Sequence, residues 1–216
     1  MGILSEAYKP GYPPVGLAGF LERLAALVKE HENLAYYLYE CRLAKWPEGD
    51  FLPQIQDFTF KTITTEDQLD RLIAEGFDLS LDSPWTRRGI QKGAVAFFLF
   101  VGRELASREL VATNAEAKAA IDGYPYEVDF SHREACAAGV WTNPKFRRQG
   151  LHTYVFYRAY DYLREHGIRI VRSIVAADNI AAQKAHERFQ PGMKRYARGR
   201  YFKVLGIRFR KEIALR

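Results

Sequence analysis

Cysteine is scarce in this chain, and long apolar runs are absent. Only Cys41 and Cys136 occur among the 216 residues, far apart and outside any CxxC pattern. This argues against a disulfide framework and against a cysteine-based zinc site, and it suits a reducing cytosol. The longest apolar run, Ala94 to Val101, is too short to cross a bilayer.

Several short motifs are also missing. The sequence contains no GxGxxG, no P-loop pattern and no HExxH, and its five histidines are scattered. These absences argue against a dinucleotide site of the Rossmann type and against a metal centre, so we expect no metal. The first residues carry neither the basic nor the apolar segment of a signal peptide, and Glu6 breaks the myristoylation pattern. We therefore expect a cytoplasmic protein.

The composition that is present predicts a globular, weakly basic protein. Apolar residues make up 48% of the chain, and Lys plus Arg exceed Asp plus Glu by 32 to 26, for a net charge of +6. Such an excess favours anionic small molecules, phosphates or an acidic membrane surface, and we expect no nucleic acid. The basic, aromatic run 194–203 could bind nucleic acid or anionic lipid. We interpret it instead as a strand whose outward Lys and Arg protect a sheet edge.

The order of patterns predicts an α/β fold with a central mixed sheet and helices on both faces. Residues 1–56 read as an N-terminal extension, with a helix from Leu17 to about His31 and a strand at Tyr36–Cys41. We expect this extension to pack on a main domain, 57–216. The strands predicted there are Phe58–Ile63, Ala94–Val101, Leu110–Ala119, Ala135–Trp141, Ile168–Val175 and a closing hairpin, Lys194–Ile213, turning near Gly206. Helices are predicted after Thr65, after Ser83, and at Gln149–His166 and Asn179–Phe189.

The stretch from Val140 to Thr153 predicts an anion site. A strand ends there, a short basic loop with Arg147 and Arg148 follows, and a long helix begins at Gly150. The N–H groups of such a loop and the positive end of the helix dipole converge on one point, which suits a pyrophosphate. The alternative is that both arginines are simply solvated and that Gly150 only makes the turn.

A second motif follows at the expected distance. After the next strand, Asn179-x-x-Ala182 opens a helix that carries His186. Together with Arg147-x-x-Gly150-x-His152, in this order, the residues resemble the GCN5-related N-acetyltransferase (GNAT) superfamily over about residues 58–213. His152 departs from that pattern, because a small residue is usual there; we expect its side chain to be carried outward. His186 likewise stands where a tyrosine is frequent.

The resemblance implies a donor, a reaction and a set of cofactor-binding residues. The donor would be acetyl-CoA, its arm adding like a strand to a splayed pair in a mostly antiparallel sheet. The acceptor would be the primary amine of a small molecule. The dense aromatics, with Glu127 and Asp129, would suit an amino sugar or another cationic amine. The resemblance to GNAT proteins with such extensions implies an amino sugar or a cell-envelope precursor. The implied cofactor-binding residues are Val140, Trp141, Thr142, Arg147, Arg148, Gln149, Gly150, Leu151, His152, Thr153 and Asn179. The sequence is compatible with a homodimer. The alternative function is a non-catalytic acyl-CoA-binding or membrane-associated module on the same fold.

Two residues are candidates for proton transfer. By the resemblance, His186 lies near the leaving thiolate, where a partly charged imidazole is a competent acid; otherwise it is a solvated histidine. Glu134, Cys136 and Ala138 share one face of the strand before Val140 by their spacing of two. Glu134 could deprotonate the amine, or it is a surface carboxylate. Cys136 is better explained as a small buried filler than as a nucleophile, and Asn179 could equally be a plain helix cap.

Overall fold

The computed structural model describes residues 32–82, 84–204 and 207–215. The predicted helix from Leu17 to His31 and the turn at Gly206 lie outside these residues. The described residues divide into two compact units: one comprises 35–82, 84–199 and 212–215, and the other 32–34, 200–204 and 207–211. Everything said below about the candidate site concerns the first unit. Among the described residues, no helix has the length and apolar character needed to span a bilayer.

The strands form one sheet. They are β1 (Glu32–Arg42), β2 (Phe58–Ile63), β3 (Val95–Val101), β4 (Glu104–Ala112), β5 (Glu134–Thr142), β6 (Ile170–Ala176), β7 (Met193–Val204) and β8 (Ile207–Ala214). Their order in the sheet is β2-β3-β4-β5-β6-β1-β7-β8. The β1–β6, β2–β3, β3–β4 and β4–β5 pairs are antiparallel and the β5–β6 pair is parallel. The predicted mixed, mostly antiparallel sheet is confirmed.

Five α-helices lie within the described residues: α1 (Glu66–Ala74), α2 (Pro84–Gln91), α3 (Ala115–Ile121), α4 (Leu151–Glu165) and α5 (Ile180–Glu187). Polar side chains begin three of them. The Thr65 hydroxyl accepts a hydrogen bond from the Gln68 N–H, and the Asn114 and Asn179 amides accept from the N–H groups three residues on. Each satisfies a helix N–H that lacks a partner in the first turn. The sequence predicted every helix except α3.

The prediction of a strand over Leu110–Ala119 was wrong in its second half. Strand β4 ends at Ala112, and α3 begins at Ala115. Asn114 accepts a hydrogen bond from the Ala117 N–H at 2.8 Å. Alanine has the highest helix propensity of all residues, and the helix contains four alanines in AEAKAAI. A cap followed by alanines therefore outweighs the apolar pattern that suggested a strand.

Strand β1 lies in the interior of the sheet. The strand predicted at Tyr36–Cys41 lies within β1, which pairs with β6 from Tyr36 opposite Ala176 to Arg42 opposite Ile170. Because β7 lies on its other side, β1 has a neighbouring strand on both edges. The domain boundary near residue 56 stays a prediction from the sequence.

Helix α4 packs across the sheet and forms the centre of the core. Nine of its fifteen residues are buried. They share one core cluster with side chains from six strands and from the segment after α5, among them Tyr39, Phe97, Leu99, Val171 and Phe189. Burial of side chains of this size contributes about 1.5–3 kcal/mol each, so this layer is the main source of stability. It also fixes the N-terminal end of α4 relative to β5 and β6.

Strands β5 and β6 pair over their first residues only and then diverge. Their pairing covers only Glu134–Cys136 opposite Ile170–Arg172. Farther along, the register of β5 with β4 shifts, so that Gly139 and Val140 together oppose the single residue Glu109. Gly139 has φ +60°, the left-handed region that glycine enters at little cost. This bulge and the short pairing open a gap between the two strands, as the splayed pair of the prediction requires.

Candidate active site

A cavity of about 780 Å³ lies in the gap between β5 and β6. Its walls are residues 137–142 of β5, residues 173–176 of β6, the loop and first turns of α4, and α5. All the predicted cofactor-binding residues except Gln149 line it, and so does His186. Glu134 does not. The structure therefore places segments of β5, the α4 loop and α5, which are up to about 50 residues apart in the sequence, around one cavity.

The loop between β5 and α4 is held in shape by its own side chains and backbone. The Asn143 amide donates to the Leu105 carbonyl at 3.3 Å, and its oxygen accepts from the Lys145 N–H at 3.1 Å. Arg148 and Gly150 both have positive φ, +64° and +83°. Gly150 is the N-cap of α4 and supplies no side-chain acceptor. The first N–H groups of a fifteen-residue helix consequently face the cavity without a capping side chain.

Gly150 is needed for a reason that the sequence could not reveal. A Cβ at this position would lie 3.3 Å from the Cα of Pro53. The Gln54 N–H also donates to the Gln149 carbonyl at 2.9 Å. The segment 52–54 thus supports the loop from the side away from the ligand. A larger residue at position 150 would disturb this packing and the backbone conformation before it touched a phosphate.

Four basic side chains line the cavity. The basic lining residues are Arg147, Arg148, Lys184 and Arg188. Arg147 also donates from Nε to the Thr142 carbonyl at 3.3 Å, which ties its side chain to the end of β5. Basic side chains around an uncapped helix N-terminus fit the pyrophosphate and phosphate groups of coenzyme A. Asn179 lines the cavity as well as capping α5, where its oxygen accepts from the Ala182 N–H at 3.1 Å.

His186 is buried and neutral. Its Nδ1 lies 2.8 Å from the Ala182 carbonyl, which can only accept, so Nδ1 carries the proton. Its Nε2 therefore accepts from the Ser173 hydroxyl, at 2.9 Å. Burial lowers the pKa of His186 to about 4. The imidazolium is then scarce at neutral pH, and the predicted role as a charged acid does not agree with this environment.

His152 faces the cavity, whereas we expected it to be carried outward. Its ring lies 4.4 Å from that of Phe156, one turn along α4. Nε2 is buried and has no hydrogen-bond partner among the described residues. Burial, with a smaller effect of nearby His186, lowers the pKa of His152 to about 4. The Phe156 ring thus lies beside two imidazoles, since the ring of His186 is 5.1 Å from it.

Glu134 forms an ion pair outside the cavity. Arg172 donates to both of its oxygens, at 2.5 and 2.6 Å, and the Asp129 N–H donates to one of them at 2.9 Å. Arg172 also holds Glu40 at 3.3 Å. The hydrogen bonds from Arg172 lower the pKa of Glu134. A carboxylate held by these contacts is a poor proton acceptor, which argues against Glu134 as the base that deprotonates the amine.

Sequence reasoning missed several residues of the cavity. Ser173 could have been found, because it alternates with buried Val171 and Val175 on a predicted strand. Asp122 follows α3, which the sequence pattern presented as a strand. Tyr124, one of the dense aromatics noted in the sequence, does line the cavity. The predicted acidic residues Glu127 and Asp129 do not line the cavity. Asp129 instead caps the short turn at Phe130–His132.

Cys136 lies beside Asp122 beneath the cavity. Its Sγ is 3.0 Å from the Tyr126 hydroxyl and 3.4 Å from Asp122 Oδ2. Burial raises the pKa of the Cys136 thiol. A thiol that stays protonated is a poor nucleophile, which agrees with the interpretation of Cys136 as a buried filler.

Comparison with known proteins points to one family. The model of the acetyltransferase (GNAT) family matches residues 111–190. No curated protein matches the chain. Solved structures that resemble it include a GCN5-related N-acetyltransferase from Sphaerobacter thermophilus, with a TM-score of 0.49, 15% identity, and coverage of 92% of this chain and 57% of that one. An acetyltransferase of the GNAT family from Colwellia psychrerythraea gives a TM-score of 0.47 and 14% identity, and covers 81% of this chain and 58% of that one.

A third similar structure is the glucosamine N-acetyltransferase region of a fungal multi-domain β-N-acetylglucosaminidase. Its TM-score is 0.49 at 15% identity, with 89% of this chain and 24% of that chain covered. The chain spans less than two thirds of the length of these three structures, and likenesses this remote carry no statement about substrate. The match of the family model, which begins in β4 and ends after α5, includes both sequence motifs and most of the cavity wall. Over residues 111–190 the chain is thus similar to the GNAT acetyltransferase family.

Proposed function

We propose that this protein is an acyl-CoA-dependent N-acyltransferase that moves an acetyl group from acetyl-CoA to the primary amine of a small molecule. The observation that carries the proposal is the cavity between the diverging strands β5 and β6, with an uncapped helix N-terminus and four basic side chains in its lining. A coenzyme A molecule needs anion-binding groups at its phosphates and an unpaired strand edge for its amide-bearing arm. This cavity offers both.

The donor would bind along β5. Its pyrophosphate would lie on the N–H groups from Arg148 to Thr153, and the side chains of Arg147 and Arg148 would add charge. Its arm would pair with Val140–Thr142, which line the cavity on the strand edge that β6 leaves open. The thioester would then lie near the bulge at Gly139 and Val140.

The reaction is a transfer between two nucleophiles. The amine nitrogen attacks the thioester carbonyl carbon, the C–S bond breaks, and an amide forms. The amine loses a proton and the departing thiolate of coenzyme A gains one. A backbone N–H of the bulge, freed from regular pairing with β4, would donate to the oxyanion of the tetrahedral intermediate.

Neutral groups surround the reacting centre. Because His186 and His152 are uncharged at neutral pH, we propose that water protonates the thiolate and that Ser173 and His186 shape the cavity around the acyl group. The acceptor would be an amino sugar or a related cell-envelope precursor, which the aromatic ring of Tyr124 at the cavity wall supports. A cytoplasmic location and a homodimer remain predictions from the sequence.

Binding of coenzyme A tests the proposal directly. Coenzyme A at a hundredfold excess over its dissociation constant should raise the free energy of unfolding of the parent protein by about 2.7 kcal/mol. The double variant Arg147→Gln/Arg148→Gln should weaken binding in calorimetry at least tenfold, because charge-assisted hydrogen bonds contribute about 1.5–3 kcal/mol each. A matched control is Arg71→Gln/Arg88→Gln, two exposed arginines of α1 and α2 away from the cavity.

The control should bind coenzyme A like the parent. Absence of binding by the parent, or equal losses in both double variants, would contradict the cofactor site. Turnover is measured separately, as release of free thiol from acetyl-CoA in the presence of a panel of amines. Binding without turnover of any amine would favour the non-catalytic acyl-CoA-binding module.

A further inference from the structure

We propose that the His152 side chain binds the pyrophosphate of the donor as an imidazolium, so that binding of coenzyme A takes up a proton from solution. The proposal rests on the acyltransferase function above and concerns its donor. It assigns a role to the position at which the first motif of this chain departs from the GNAT pattern, where a small residue is usual.

The His152 side chain lies at the start of α4, where we place the pyrophosphate. His152 is the second residue of the helix, and it lines the cavity together with Arg148, Gly150 and Thr153. The backbone N–H groups of these residues are the proposed anion site. Because the imidazole lines the same cavity, an anion bound to those N–H groups lies beside it.

The imidazole of His152 lacks a partner that an anion would supply. Its Nε2 is buried and has no hydrogen-bond partner among the described residues. The ring of His186 differs, because both of its nitrogens have partners, the Ala182 carbonyl and the Ser173 hydroxyl. Buried polar atoms are rarely left unpartnered unless water or a ligand completes the site. Of the two histidines in the described lining of the cavity, His152 is therefore the one that can gain a proton and a partner.

The surroundings of His152 keep it neutral while the anion site is empty. Burial and, to a smaller extent, His186 lower the pKa of His152 to about 4. The positive end of the α4 dipole acts in the same direction. In the described lining, β6 contributes no charged side chain, Asp122 after α3 is the single carboxylate, and the basic residues of the α4 loop and α5 are Arg147, Arg148, Lys184 and Arg188.

A bound pyrophosphate reverses this balance. An opposite charge within about 4–6 Å raises the pKa of a histidine by about 1–3 units. The charge of an imidazolium is shared by both nitrogens, so an anion needs to reach only the ring edge that lines the cavity. The complex then holds more protons than the free protein, and the affinity for the donor must rise as the pH falls. A small residue at position 152 would give no such coupling.

Linked proton uptake measures this role directly. Dephospho-coenzyme A is the probe, because it keeps the pyrophosphate but lacks the phosphate monoester, which itself titrates near pH 6. Calorimetry at pH 6, in buffers of different ionisation enthalpy, should show that the parent takes up about half a proton per molecule bound. His152→Gln should take up almost none. The matched control His166→Gln, an exposed histidine just after α4, should take up as much as the parent.

The pH dependence of affinity separates a charge from a steric effect. From pH 7.5 to 5.5 the parent should bind the probe about fourfold more tightly, whereas the affinity of His152→Gln should stay within about twofold. At pH 7.5, where the imidazole is neutral, the two proteins should bind alike, which also verifies that the variant is folded. A variant weakened by the same factor at every pH would mean that His152 acts by its shape alone and would overturn the proposal.

Histidine ring NMR on the parent provides a second measurement, which does not require the variant to bind. The His152 resonance, assigned by its absence from the spectrum of His152→Gln, should titrate at least one pH unit higher with the probe bound. An unchanged titration, or no proton uptake by the parent, would overturn the proposal. So would uptake that is lost in His186→Gln and kept in His152→Gln. Absence of binding by coenzyme A and by the probe at every pH would instead refute the proposed function.

Discussion

Two parts of the cavity lining are built in different ways: residues 140–153 and 179–188, called the cofactor wall, and Asp122 on the far side of β5. The cofactor wall uses two short runs of chain, and its main groups are backbone N–H groups fixed by a turn and a helix start. Asp122 is instead held by side chains from α3 and β5. Chemistry carried by consecutive residues leaves a spacing in the sequence, whereas an arrangement made by tertiary contacts leaves none. This explains why the cofactor wall was predicted and Asp122 was not.

The contrast is sharpest for Glu134, which the sequence pattern offered for the acceptor side. If it serves the fold, Glu134→Gln should lower the free energy of unfolding by about 3 kcal/mol, because it leaves the partly buried Arg172 without its bidentate partner. Urea denaturation at pH 7 measures this. The lowered pKa places the contribution above about pH 4, and it is lost as the pH falls through the folded-state pKa. If instead the Glu134→Gln variant is as stable as the parent but loses much of its kcat, Glu134 acts in the reaction.

The histidines of the cofactor wall provide the next test. The pKa values of His152 and His186, about 4, lie below the unfolded value of about 6.5, so the unfolded state takes up protons first. Stability should therefore fall as the pH drops below 6.5, by about 1.4 kcal/mol per pH unit for each histidine. Denaturation from pH 7 to 5 should show this slope in the parent and a slope smaller by about one proton in His186→Gln.

A suitable control is His132→Gln, since His132 is largely exposed beside Asp129. Its slope should match that of the parent. The alkaline limb of the activity profile should also be the same in His186→Gln and in the parent. Loss of that limb would show that His186 is charged in the working enzyme, against the environment described above.

The smallest expected effect concerns Gly150 and compares two glycines with nearly equal backbone angles. Gly150 has φ +83° and Gly167 has φ +80°, but only at Gly150 would a Cβ meet a neighbour, Pro53. Gly167→Ala should lower stability by about 1 kcal/mol through backbone strain alone. Gly150→Ala should cost roughly 1 kcal/mol more in thermal or urea unfolding. Equal losses of stability in the two variants would mean that segment 52–54 moves aside without cost and does not support the loop.

The sequence allowed most of the fold to be predicted, for identifiable reasons. Strand β2 and helices α1, α4 and α5 combine a clear apolar period with a cap or a glycine, and their bounds agree with the structure within about two residues. Helix α3 was missed because the apolar run Leu110-Val111-Ala112 before Asn114 looked like the start of a longer strand. The sequence position of β1 gave no sign that it lies between two strands formed more than 120 residues later.

The residues of the candidate site also differ in whether the sequence could identify them. Gly150, Arg147 and Asn179 could be identified by spacing, and all three line the cavity. The ionisation of His186 and of Glu134 could not be predicted, since it depends on burial and on Arg172, which reaches Glu134 from another strand. Asp122 could not be identified from the sequence, because its orientation depends on contacts with Cys136 and Lys118 that exist only in the folded protein.

The interior position of β1 also has a consequence for synthesis of the protein. Its partners on β6 follow it by about 130 residues, from Arg42 with Ile170 to Tyr36 with Ala176. At about 5–20 residues per second, a ribosome needs roughly 7 to 26 s to deliver them. Throughout that time a strand rich in tyrosine has no neighbour of its own sheet to pair with. The nascent chain therefore depends on protection of this early segment, and slower translation after residue 42 should lower the yield of folded protein.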